Sequence, residues 1–237
     1  MRYEVTGRVH PERAGVSFSP VSWSGTDGRR IEASCDASQL FVSIELPGVS
    51  DPATAKLAAE DFAQIVVSAL GFSLASAYFV EAIQVWNPPR VPVVFGVRIE
   101  ELRLPEAPSL LTDLVTLATG DIFFRLALRD YVRAIGDAQD CASYCYRAVE
   151  AIKSAFAAPG VADVWAKMHA TLGSSREDIE SKVKRFADPV RHGNWIEAPQ
   201  TDGAQRLEML KLTRDLLLAY LTYRRQPINT LERACDV

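Results

Sequence analysis

The sequence predicts an α+β protein: a small N-terminal α+β domain, an antiparallel or mixed sheet with one helix, followed by an all-α helical bundle. Three observations predict this. Strand-type alternation of apolar and polar residues recurs through about the first hundred residues. One helix with a strong start signal at Asp51-Pro52 is set among those strands. After the charged, proline-containing segment Glu100 to Ser109, strand signals vanish and helical periodicity takes over. The expected domains are residues 1–105 and 110–237, with the linker between them.

In the first half, Arg2 to Val9 alternates as a strand. His10-Pro11 through Gly15 reads as a turn, which leaves His10 an exposed loop residue. Val16 to Val21 resumes the alternation, so the two runs suggest a hairpin with a longer loop. Gly25-Thr-Asp-Gly28 marks another turn, and Leu40 to Leu46 is the clearest strand, closed by Pro47-Gly48. In the helix that Asp51 opens, Leu57, Phe62, Ile65, Val66 and Leu70 recur at helical spacing and predict its buried face; Gly71 ends it. Tyr78 to Trp86 is a strand, and Asn87-Pro88-Pro89 turns the chain. Val91 to Ile99 is a last strand, which prolines at 92 and 105 place at a sheet edge.

In the second half, Leu110 to Ala118 is a short helical segment that Gly120-Asp121 interrupts. Ile122 to Phe156 is either one long helix or two abutting ones, with Ile135, Ala138, Ala142, Cys145, Val149 and Ile152 at helical spacing. Pro159-Gly160 stops it. Val161 to Leu172 is the next helix, with Gly173 as its C-cap. Ser174-Ser175 opens overlapping capping boxes for another. Leu207 to Tyr223 is strongly periodic, and the tail from Gln226 reads as loosely ordered.

Composition narrows the class. The 237 residues are 48% hydrophobic and 24% charged, ordinary for a globular protein. No apolar run is long enough for a membrane span, and the N-terminus lacks the apolar core of a signal peptide, so a cytoplasmic protein without membrane contact is expected. A net charge of −4 argues against wholesale coating of nucleic acid but leaves room for a local basic site. The four cysteines, Cys35, Cys141, Cys145 and Cys235, are too few for a disulfide scaffold. Cys141 and Cys145 share a helix face with no companion ligands nearby, so buried free thiols are expected, with no metal and no cofactor.

The most reactive side chains gather between Lys182 and Trp195. Arg185 and His192 are separated by six residues, and Arg191 directly precedes the histidine. Pro189 has no N–H and its ring clashes with the carbonyl of Arg185, so the helix running in from Ser175 is expected to kink or stop there. Asp188 is pushed toward an extended conformation, and Gly193 frees the backbone after the histidine. The expected result is a charged corner between two helices.

Arginine, several residues, then histidine, at a helix junction in an all-α domain, resembles the HEPN superfamily over about residues 120–225. The run Cys145-Tyr-Arg-Ala-Val-Glu150-Ala-Ile-Lys153 is similar to the Arg-Ala-hydrophobic-Glu helix common in such domains. Phe186 stands where family motifs usually hold a polar residue. The resemblance implies a metal-independent RNase acting as a homodimer through the helical half, with RNA or a nucleotide as ligand. By analogy with similar two-domain proteins, it also implies an antiphage or toxin-type stress role, the N-terminal domain sensing or docking a protein partner.

The chemistry suits the residue types. His192 titrates in the range an acid/base needs. Arg185 or Arg191 offers a fork of donors that matches phosphate oxygens, and Lys182 and Lys184 add to the positive field. Other functions fit the same residues: a bundle that binds a nucleotide or phosphate without cutting it, or a structural adaptor. In these, Arg191 and His192 simply finish a helix, and Arg185 pairs with Glu150 to orient two helices. His169, Trp165 and Trp195 read as packing or loop residues, and Arg224-Arg225 as a solvated helix end.

Overall fold

The computed structural model describes residues 1–87, 91–95, 99–104, 107–194, 196, 198–199 and 201–225. The tail from Gln226, Cys235 and Trp195 lie outside the described residues, as does the turn at Pro88-Pro89. The chain divides into two compact units, residues 1–97 and 98–237.

The first unit is a six-stranded antiparallel sheet with one long helix. Its strands are β1 (Arg2–His10), β2 (Phe18–Ser24), β3 (Arg30–Asp36), β4 (Gln39–Glu45), β5 (Phe79–Asn87) and β6 (Val91–Val94), in the spatial order β2-β3-β4-β1-β5-β6. β1 therefore sits in the middle, pairing with β4 on one side and β5 on the other. The expected hairpin between β1 and the strand after it does not form, because the β3–β4 hairpin takes that place and β2 pairs with β3. Arg30 to Asp36 alternates polar and apolar residues, with Ile31, Ala33 and Cys35 buried, but the turn at Ala37-Ser38 lacks the Asn-Gly signature of a tight hairpin. Both turn residues nevertheless adopt positive φ, 45° and 66°. Ser38 is fully buried and is held there: its Oγ accepts from Val16 N at 3.0 Å, and its N–H donates to Val16 O at 2.7 Å. His10 is the last residue of β1 rather than an exposed loop residue. Its Nε2 lies 2.8 Å from Glu81, and its ring stacks on Phe79. β6 is an edge strand, as its proline requires.

Helix α1 (Pro52–Ser73) starts as the sequence predicts. Asp51 accepts from the backbone N–H groups of Ala53 and Thr54. Its buried face differs from the expected one. Ala55, Ala59, Ala63, Val67 and Gly71 face the core, while Leu57, Phe62, Val66 and Leu70 flank them half-buried and Ile65 is 61% exposed. Small residues let the helix axis lie close to the sheet, which fills the space with Tyr3, Val5, Val42 and Ile44. The helix also runs past Gly71, where a Cβ would meet Ser76 O at 2.5 Å.

The second unit holds α2 (Ala107–Gly120), α3 (Ile122–Gly136), α4 (Cys141–Ser154), α5 (Val164–Leu172), α6 (Arg176–Ile179), a π-helical segment (Glu180–Lys184), α7 (Arg185–Arg191) and α8 (Gly203–Arg225). Residues 122–156 are thus two helices. Asp121 caps α3 through Phe123 N and Phe124 N, and its other carboxylate oxygen accepts the Tyr220 hydroxyl at 2.6 Å, tying α8 to the start of α3. The apolar residues of α3 and α4 pack inside the unit: Phe124, Tyr131, Cys145, Val149 and Ile152 share one core with Met168, Met209 and Tyr220. Leu102 is buried in this core too, so the start of the expected linker packs with the helices.

Pro189 neither stops nor breaks the helix. It lies inside α7, with Asp188 helical before it, and the helix ends at His192. A π segment, Glu180–Lys184, lies just upstream of this helix. Gly193, at φ 74°, makes the turn out, and Asn194 N donates to Pro189 O at 2.8 Å.

Candidate functional site: the cationic end of α7

Two ties fix α7 and the π segment against α4. Arg191 Nη2 lies 3.1 Å from Glu150 Oε2, with its guanidinium 5.0 Å from the centre of the Tyr146 ring. Phe186 and Ala187 turn inward and are buried, Phe186 at 5% exposure. The family-like run on α4 is therefore structural on both sides: Glu150 holds α7, while Arg147 reaches the buried Asp130 of α3 at 3.2 Å. Glu150 orients two helices, but through Arg191 and not through Arg185.

The predicted site residues separate into two groups. Lys182 pairs with Asp178 at 2.7 Å, Lys184 with Asp188 at 3.7 Å, and Arg191 with Glu150 and, more distantly, Asp188 at 3.9 Å. Arg185 and His192 have no carboxylate partner among the described residues, and both are exposed. Arg185 lays its guanidinium over the ring of the neighbouring Phe186, at 4.4 Å. Seven positions along a helix is close to two full turns, so Arg185 and His192 fall on one side of α7, about 10 Å apart along the axis. The structure brings this pair to one solvent-facing side and turns Phe186 and Ala187 inward.

A second feature adjoins this surface. Tyr146 of α4, Trp165 and His169 of α5, Arg176 and Ile179 of α6, and Glu180 and Lys184 of the π segment line a small half-open cleft. The Trp165 ring centre lies 6.4 Å from that of Tyr146 and 5.8 Å from that of His169, within 16° and 21° of parallel. Lys153 places its ammonium 5.6 Å from the Trp165 ring centre. His169 Nδ1 lies 2.8 Å from Ser174 Oγ, and burial pulls the imidazole below its ordinary pKa, toward the neutral form. Reading His169 and Trp165 as packing residues captured their burial and missed the cleft. Their spacing of four on one helix was the available signal.

The buried thiols Cys141 and Cys145 share one face of α4, and Cys35 is buried in the first unit; none of the three is in a disulfide. Among the described residues no helix is long and apolar enough to cross a membrane.

Fold and site together define a two-domain protein, a sheet-and-helix unit followed by a helical unit with a cationic helix end. Residues 3–95 match the N-terminal domain, and residues 111–225 the C-terminal domain, of a domain of unknown function, DUF8168. The two halves of that family thus occur here in chain order. No curated protein and no solved structure matches the chain significantly.

Proposed function

We propose that the protein is a metal-independent endoribonuclease of the HEPN type, acting through the Arg185–His192 face of α7. What supports this reading above all is availability: the one arginine and the one histidine of the resemblance stand exposed on one side of a helix, without carboxylate partners among the described residues. His192 would take the proton from a ribose 2′-hydroxyl as its oxygen attacks the adjacent phosphorus. The bond from phosphorus to the 5′-oxygen then breaks, and that oxygen leaves with a proton returned by the imidazolium. The products are a 2′,3′-cyclic phosphate and a 5′-hydroxyl. Arg185 would hold the phosphate oxygens, whose charge grows in the transition state. Lys182, Lys184 and Arg191 contribute positive field.

In this reading two copies meet through the helical unit, with their His192 side chains facing one another. The sheet unit engages a trigger or partner protein in an antiphage or toxin-type stress response. A second reading, a nucleotide- or phosphate-binding module without cleavage, is favoured by one observation: Arg191 is already engaged by Glu150 and Tyr146, which suits a fixed scaffold. Incubating the full chain with mixed cellular RNA in EDTA separates the two. The nuclease reading expects fragments ending in 2′,3′-cyclic phosphate. RNA that is bound but left intact supports the second reading.

A further inference from the structure

We propose that the cleft between α4, α5 and the π segment is a base-binding pocket, taking the nucleobase of a ribonucleotide whose phosphate runs out past Lys184 toward Arg185. The choice of ligand rests on the nuclease reading above; the pocket itself rests on separate observations.

The first is the lining. Trp165, with Tyr146 and His169 nearly parallel to it, gives an aromatic wall, and Ile179 adds an apolar patch. The cleft is small and half-open, which suits one edge of a single planar ring system better than an extended chain. Aromatic walls recognise bases of any identity because every base has a π-face. The second is His169. Its Nδ1 is held by Ser174, while Nε2 is shielded from solvent and has no hydrogen-bond partner among the described residues. A buried polar atom with an unmet bond is costly. The polar edge of a base pressing against this ring would satisfy it.

The third is the backbone. The π segment Glu180–Lys184 forms one side of the cleft, and π turns inside helices are frequent at functional sites. It places Lys184 on the rim, held by Asp188 only at 3.7 Å and so free to swing to a phosphate. Lys184 directly precedes Arg185, and Tyr146 lies beneath Arg191, so the cleft leads into the cationic end of α7. Glu180 is occupied by Arg176 at 2.9 Å, which offsets its charge at the rim.

Calorimetric titration of the full chain with the four ribonucleoside 5′-monophosphates tests the pocket, using wild type, Trp165→Leu and Lys184→Gln, each confirmed folded by its melting curve. At least one nucleotide should bind wild type at millimolar concentration or below. Trp165→Leu should weaken that binding about 5- to 150-fold, the span of base–aromatic stacking. Lys184→Gln should weaken it a few-fold and flatten its salt dependence. No binding to folded wild type, or equal affinity in wild type, Trp165→Leu and Lys184→Gln, overturns the proposal. Should nucleotides bind in the cleft while RNA stays intact, only the nuclease reading falls. Should RNA be cut in a His192-dependent way with no Trp165 or Lys184 effect on nucleotide affinity, only the pocket falls.

Discussion

Arg185 and Arg191 sit six residues apart on the same short helix and have opposite fates. Arg191 is clamped by a carboxylate from α4, a second from its own helix and the face of Tyr146. Arg185 is exposed, lies over the ring of the residue beside it and has no carboxylate partner among the described residues. In the sequence the two look interchangeable as phosphate ligands. Topology separates them: six residues turn a helix well past one and a half turns, so one side chain points at α4 and the other away from it. A positive residue at a motif position is thus no measure of an available charge, and the same helix can spend one arginine on its own docking and keep another for a ligand.

The largest expected effect tests the docked side of α7. Phe186→Ala empties a buried aromatic position next to Arg185 and should lower stability by about 3–5 kcal/mol in a denaturant titration. A loss below about 1 kcal/mol would mean that α7 is not packed as described. Next comes Arg185→Ala, on the open side. It should leave the melting curve nearly unchanged and weaken RNA binding by roughly tenfold or more, since a charge-assisted hydrogen bond to phosphate is worth about 1.5–3 kcal/mol. Unaltered RNA affinity would remove Arg185 from the site. The smallest effect belongs to Arg191. Both partners of the Arg191–Glu150 pair are about one-third exposed, so a double-mutant cycle with Arg191→Ala and Glu150→Ala should return a coupling near or below 1 kcal/mol. A coupling of several kcal/mol would make this pair the principal fastener of α7.

Local signals were legible and long-range ones were not. The caps at Asp51 and Ser175 and the left-handed Gly173 stand where the residues place them, because a cap is decided by its immediate neighbours. The order of sheet and helices followed from periodicity alone. β3 alternates from Arg30 to Asp36 but carries a weak signal, because Ala33 and Cys35 are small and its turn is held by Ser38 from a distance, through Val16. The face of α1 was misread because alanines carry little apolar signal, yet allow the closest approach to a sheet. The proline at 189 looked like a stop, yet it lies inside α7. At the charged corner, the sequence singled out Lys182 to His192 but not which of its cations are paired. Which cation faces Glu150 is set by the docking of α7 on α4, and the cleft is built from three segments that only the fold brings together.

The central claim is that the exposed pair acts on RNA while the clamped arginine holds the helix. The most direct measurement is the rate of RNA cleavage in EDTA by wild type, His192→Ala and Arg191→Ala, all at a temperature where each is folded. Loss of a positioned acid/base should slow His192→Ala by about 10²–10⁴-fold, while Arg191→Ala keeps most of the wild-type rate. Cleavage by His192→Ala at the wild-type rate would contradict the account.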